Sequence, residues 1–228
     1  MGCPALGGAL SAIPTRPGSI GILGGTFDPF HAGHLALARA ARDALGLERI
    51  LVVPAAVPPH KLGQAISPAG DRLAMAEAGI AAEPRLEVSR LELERTGPSY
   101  TVDTVASLAA AERAAGREPD IAVILSAESF ADLPSWHEPA RLLGLARIAV
   151  APRLGHPAPT PAWLAQRLPG YADRVVVLEG PHLDVSASDI RARVAAGRSI
   201  DSLVPPAVAA YIDAHHLYRE PPSRKDRT

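Results

Sequence analysis

The sequence predicts an α/β protein built on an open parallel sheet with helices on both faces. Three observations carry this. Apolar runs of strand length recur as Ile20-Gly21-Ile22-Leu23, Ile50-Leu51-Val52-Val53 and Ile121-Ala122-Val123-Ile124-Leu125, and such unbroken runs suit strands covered on both sides. Alanine- and leucine-rich segments of helical length separate them, and strands alternating with helices imply a parallel sheet. Finally, 228 residues, 47% of them apolar, suffice for one full core.

In chain order, residues 1–17 are rich in Gly, Ala and Pro and are expected to form a poorly ordered extension. A single domain is expected over 18–218, followed by a frayed polar tail at 219–228. Strands are predicted at 19–23, 50–53, 85–88 with an extension toward Arg95, 121–125, 147–151 and 174–178. The first helix should follow the turn at Gly24-Gly25 and end near Leu45. Pro68 opens a helix to Ala82, proline being favoured in a first turn. Residues 100–115 read as a helix capped by Ser99 or Thr101. Shorter helices are predicted at 138–143, 161–168, 188–196 and 206–215, and no internal repeat or domain linker interrupts the pattern.

Composition excludes several classes. A formal net charge of −1 gives no broad attraction to nucleic acid or to an anionic membrane. Cys3 is the single cysteine, so no intramolecular disulfide can form, as befits a reducing compartment. No apolar run approaches the roughly 18 residues of a membrane span. No basic residue precedes the apolar stretch Pro4-Ala5-Leu6-Gly7-Gly8-Ala9-Leu10 as in a secretory signal. The expected compartment is the cytoplasm.

The densest chemistry lies in Gly24-Gly25-Thr26-Phe27-Asp28-Pro29-Phe30-His31-Ala32-Gly33-His34-Leu35. A glycine turn between strand and helix allows close backbone approach, and the helix start offers N–H donors and positive dipole. His31 and His34, three apart, can point to one side. Together these form a phosphate site. A metal pair would need a further ligand nearby, and the turn matches neither the dinucleotide-binding fingerprint nor the Walker pattern.

This stretch resembles the signature of the nucleotidyltransferase superfamily that shares a T/H-x-G-H element with class I aminoacyl-tRNA synthetases. Its fuller form is similar to the nicotinate mononucleotide adenylyltransferases, although Phe30 stands where that family commonly has a smaller aliphatic residue. The resemblance implies a Rossmann-like nucleotidyltransferase fold, with Gly24, Gly25, Thr26, Phe27 and Gly33 at ATP. Five later elements resemble the same family. Pro58-Pro59-His60-Lys61 follows a strand end, and Lys61 suits an acceptor phosphate. Ser99-Tyr100-Thr101-Val102-Asp103-Thr104 opens a helix whose dipole favours a carboxylate over a carboxamide. Trp136 resembles the family tryptophan that stacks on the pyridine ring. Glu128, in Leu125-Ser126-Ala127-Glu128, stands for an aspartate on the adenosine ribose, with Ser126 in place of a glycine. Ser186-Ala187-Ser188-Asp189-Ile190-Arg191 resembles a phosphate-binding loop in which Ala187 replaces a hydroxyl. Serine there also reads as a helix cap.

The activity so implied is adenylyl transfer from ATP to nicotinate mononucleotide, giving deamido-NAD and pyrophosphate. The acceptor phosphate is its own nucleophile, so catalysis reduces to holding two anions in line and stabilising growing charge. His31 and His34 are assigned to the ATP phosphates, Arg191 with Ser186, Ser188 and Ile190 to the triphosphate loop, and Lys61, Thr26, Tyr100, Thr101 and Trp136 to the acceptor. Mg²⁺ is expected, held mainly by triphosphate and water. Two alternatives stay open: transfer to another acceptor, such as nicotinamide mononucleotide, phosphopantetheine or a CTP-dependent alcohol phosphate, and a non-enzymatic nucleotide-binding module.

Overall fold

The computed structural model describes residues 15–58, 65–152, 155–156, 158–180 and 185–219. Its centre is a six-stranded, all-parallel sheet in the order β3-β2-β1-β4-β5-β6. The strands are β1 (Arg16–Gly25), β2 (Leu47–Pro54), β3 (Leu86–Val88), β4 (Asp120–Ser126), β5 (Arg147–Ala151) and β6 (Val175–Val177). The helices are α1 (Ala32–Leu45), α2 (Ala69–Ile80), α3 (Thr101–Ala114), α4 (Ala127–Ala131), α5 (Pro139–Leu145), α6 (Pro161–Arg167), α7 (Ala187–Ala195) and α8 (Pro206–Ala214).

Strand alternation divides the core into two layers. Ile20, Ile22, Val53, Ile121, Val123 and Val150 face one side, where Val102 and Val105 of α3, Phe130 of α4 and Leu142 of α5 cover them. Leu23, Ile50, Val52, Ile124 and Ala149 face the other, under Ala38 and Ala41 of α1 and Ala76 of α2. Both faces being apolar, the strands read as unbroken hydrophobic runs. A third cluster joins Met75 of α2 to Ile190 of α7 and to Val208 and Ile212 of α8, which brings the carboxyl-terminal helices beside the signature turn.

Most differences from expectation lie at element ends. The first strand starts at Arg16, not near 19, so the described end of the expected extension already pairs with Leu47; residues 1–14 lie outside the described residues. Beyond Val88 the chain turns at 91–95 instead of extending β3. The α4 segment was not predicted: five residues are too few for helical periodicity to register.

Candidate active site

The strand order reverses between β1 and β4, and ligands of open parallel sheets gather outside the carboxyl ends of strands at such a point. There a cavity of ≈ 680 Å³ opens. Gly24, Gly25 and Thr26 leave β1 along its floor, and Leu125 and Ser126 leave β4 beside them. A Cβ on Gly24 would project into open space, whereas one on Gly25 would lie 2.8 Å from Phe27 Cε1. The first glycine leaves ligand room; the second lets the turn close on its own aromatic ring.

His31 and His34 form a reciprocal cap on α1. His31 N donates to His34 Nδ1 (3.2 Å), and His34 N donates to His31 Nδ1 (3.3 Å), the capping-box arrangement built from imidazoles. The rings stack at 3.6 Å and 18°. A Cβ on Gly33 would crowd His31 Nδ1 at 3.1 Å. Because both Nδ1 atoms accept, the proton of each neutral ring sits on Nε2, and both rings line the cavity. The first-turn amides are busier than the sequence suggested: besides the two capping donors, Ala32 N donates to Leu203 O at 2.9 Å. An anion placed at this helix start would therefore meet imidazole groups and helix dipole more than unengaged amides. Phe27, expected at ATP, is buried and meets His34 edge-on at 4.9 Å; its ring supports the histidine and is not among the lining residues.

Tyr100, Thr101 and Trp136, the residues assigned to the acceptor, all line the other side of the cavity. Tyr100 is the residue preceding α3 and makes no side-chain cap. Neither expected cap operates: Ser99 Oγ instead accepts from Ala56 N (3.1 Å) and Val57 N (3.4 Å), tying α3 to the loop after β2. The Tyr100 ring stacks on His137 at 4.2 Å. Glu92, which the sequence did not single out, also lines this side. It is 6% exposed, accepts from Thr104 Oγ1 at 2.8 Å, and burial pushes its carboxyl above the usual range, against the Thr104 hydrogen bond.

Glu128 reaches the cavity from α4. Ser126 caps that helix by accepting from Ser129 N (3.2 Å) at φ −71, so this position needs no glycine. Ser186 and Ser188, assigned to the triphosphate, line the cavity, but Ser186, the residue before α7, makes no side-chain cap hydrogen bond. Ile190 departs from its assignment: it is wholly buried with Met75, Val208 and Ile212, and its N–H donates to Ser186 O. Its part is to seat α7, leaving ligand contact to the serines. Arg191 is not a lining residue; its Nη1 donates to Asp28 O at 2.7 Å and its Nη2 to Ser188 Oγ at 3.3 Å. It thus ties α7 to the turn carrying the histidines. Lys61 lies outside the described residues.

Behind the turn is a buried polar layer the sequence reading missed. Asp28, 3% exposed, accepts from Tyr218 Oη (2.6 Å) and Ser67 N (3.1 Å). Burial and then the Asp28 carboxylate push the Tyr218 hydroxyl far above its ordinary pKa. Arg72 shares the buried face of α2 with Met75, Ala76 and Gly79, an arginine on an apolar stripe, and that misplacement was legible in the periodicity. Among the described residues no group of three or more His, Cys, Asp or Glu is placed to hold a metal ion, and no helix is long and apolar enough to cross a membrane.

The description "Cytidylyltransferase-like" names a family model that matches residues 22–193. The chain is 49% identical over 200 residues to a probable nicotinate-nucleotide adenylyltransferase of Roseiflexus sp. (strain RS-1), covering 88% of this chain and 98% of that one. It is 42% identical to a protein of the same name from Thermomicrobium roseum, covering 88% and 91%. In three dimensions it is similar to Plasmodium falciparum nicotinic acid mononucleotide adenylyltransferase complexed with NaAD, with TM-score 0.71, 18% identity and coverage of 88% and 97%. That last likeness speaks for the fold.

Proposed function

Because this chain belongs to the nicotinate-nucleotide adenylyltransferase family, we propose that it transfers the adenylyl group of ATP to nicotinate mononucleotide, giving deamido-NAD and pyrophosphate in NAD biosynthesis. One observation supports this above others: a single cavity joins the His31–His34 pair to the side lined by Tyr100, Thr101 and Trp136.

In this reading a phosphate oxygen of the mononucleotide attacks the α-phosphorus of ATP. A new P–O bond forms as the bond to the β-phosphate bridge breaks, and pyrophosphate leaves. The nucleophile is already ionised near neutral pH, so no side chain need remove a proton. His31 and His34 donate through Nε2 to the triphosphate, where preorganised donors act on charge that grows in the transition state. Ser186 and Ser188 add hydroxyls, Arg191 holds the serine loop against the turn, and Lys61 meets the acceptor phosphate. Glu128 accepts from the adenosine ribose. Trp136 and Tyr100 offer flat surfaces to the pyridine ring, and the amino end of α3 favours its carboxylate.

A magnesium ion is expected to arrive with ATP, held mainly by the triphosphate and water. That ion would supply charge neutralisation along the phosphates. The reaction is assigned to the cytoplasm, with no polymeric nucleic acid and no membrane as partner. The test is pyrophosphate release from ATP, Mg²⁺ and either the acid or the amide mononucleotide, in parallel. Turnover is expected with the acid; folded protein inert toward it refutes the reading, and preference for the amide moves the acceptor.

A further inference from the structure

Transfer needs two half-sites on different elements held at fixed separation, and one buried cation lies between them. Arg72 is 1% exposed. Burying a guanidinium is unfavourable unless its donors are met, and burial lowers its pKa against the opposing effect of Asp28. Here main-chain carbonyls meet it. Nε donates to Ser67 O (3.0 Å), Nη1 to Thr26 O (2.9 Å) and Ala55 O (2.7 Å), and Nη2 to Ala56 O (3.4 Å). These carbonyls belong to three segments: the turn after β1, the loop after β2, and the residues leading into α2.

The path continues toward the acceptor side. Ala56 N and Val57 N donate to Ser99 Oγ, and Ser99 N donates to Val57 O at 3.1 Å. Ser99 directly precedes Tyr100 at the start of α3. A chain of hydrogen bonds therefore runs from Thr26, on the nucleotide turn, through a planar fork of donors to the residues facing the acceptor. A lysine could satisfy part of the carbonyl set but cannot spread its donors in that plane.

We infer that Arg72 is a positioning residue for the transfer: its guanidinium fixes the nucleotide turn at Thr26 relative to the acceptor side at 99–101. The inference rests on the adenylyl-transfer reading. ATP is held by the histidine cap and α7, whereas Arg72 sets where the acceptor sits, so its loss separates acceptor turnover from ATP affinity. A misplacement near 1 Å costs on the order of 100-fold in rate.

The experiment compares wild type, Arg72→Lys, Arg72→Met, Ser99→Ala and the Arg72→Lys/Ser99→Ala double variant. It reads kcat and KM for nicotinate mononucleotide, equilibrium ATP affinity without acceptor, and thermal unfolding, with assays run well below each midpoint. Folded Arg72→Met should lose roughly 30- to 100-fold in kcat/KM for the acceptor, Arg72→Lys less, with ATP affinity within about threefold of wild type. The double variant should be little worse than its worse parent, since both changes cut one path. Wild-type kcat/KM in the folded Arg72 variants overturns the inference, as does ATP affinity falling in step with acceptor turnover. Should the Arg72 variants not fold, Ser99→Ala decides. A loss near tenfold with ATP affinity kept supports the path, and unchanged kcat/KM overturns it. An inert wild type would instead sink the functional reading.

Discussion

Gly79→Ala offers the sharpest test of how α2 supports the histidines. Gly79 lies on the buried face of α2 against Phe30, which is wholly enclosed. A Cβ there would fall 2.3 Å from Phe30 Cδ1 and 2.9 Å from Cε1, more than 1 Å inside ordinary contact. Phe30 has little room to retreat, because Phe27 lies at 5.5 Å and His34 at 5.4 Å between ring centroids. Overpacking of this kind costs about 1–3 kcal/mol, offset by at most about 1 kcal/mol of improved helix propensity. A net loss of about 1–2 kcal/mol corresponds to a midpoint lowered by roughly 3–6 °C in a chain of this size. Phe30→Leu should remove the clash at its own cost of about 1 kcal/mol. The double variant should then recover about 1–2 kcal/mol relative to the sum of the singles, a coupling expected only of residues in contact. The assay is thermal or urea unfolding of the four-member cycle, with kcat measured alongside because the displaced ring pushes toward His34. Additivity within about 0.5 kcal/mol would refute the packing argument.

Three further outcomes follow from the site. If His34 donates to the triphosphate as proposed, His34→Ala removes that donor and half of the reciprocal cap, so kcat should fall by about 10²–10³ for only about 1 kcal/mol of stability; steady-state rates and melting on one preparation check the disproportion. Tyr218→Phe leaves one oxygen of buried Asp28 without its 2.6 Å donor, which should cost about 1–3 kcal/mol in unfolding free energy, and an unchanged midpoint would contradict it. For Glu92 the folded-state pKa is raised by burial, so its favourable contribution is full below the ordinary value of 4.5 and is lost as pH rises through the folded value. Glu92→Gln should therefore gain in melting temperature over wild type as pH increases from about 4.5, and a flat or falling difference between pH 4.5 and 8 would oppose the assignment.

What the sequence revealed and what it hid divide along a physical line. The central strands were legible because burial on both faces leaves unbroken runs such as Ile121-Ala122-Val123-Ile124-Leu125, whose place in β4 matches the prediction to one residue at each end. The ends were less so: Arg16 pairs with Leu47 across an irregular register, a long-range event that local composition does not encode. The caps failed for the same reason. Ser99 is an ordinary helix-start residue by propensity, but its hydroxyl is drawn away by Ala56 N and Val57 N of the preceding loop. Ile190 stood inside a ligand-binding motif, and only the packing of α7 on α2 and α8 separates its side chain from the serines that line the cavity.

The departures from the family pattern sharpen this division. Ser126 stands where a glycine was expected, yet its backbone is extended and its hydroxyl caps α4, so the substitution exchanges backbone freedom for a fixed helix start below Glu128. Phe30 stands where a smaller side chain was expected, and its ring lies against Gly79 of α2, where a Cβ would meet it at 2.3 Å. In each case the motif position makes its contact with a residue outside the motif, Ser129 for Ser126 and Gly79 for Phe30. The same holds for Arg72 and Tyr218, which touch the turn from α2 and from beyond α8. A motif names the groups that meet the ligand, but their spacing is set by buried partners whose only trace in sequence is a residue of the wrong polarity or size for its face. Such misfits on an otherwise regular stripe are where the supporting layer of an active site of this kind should be sought.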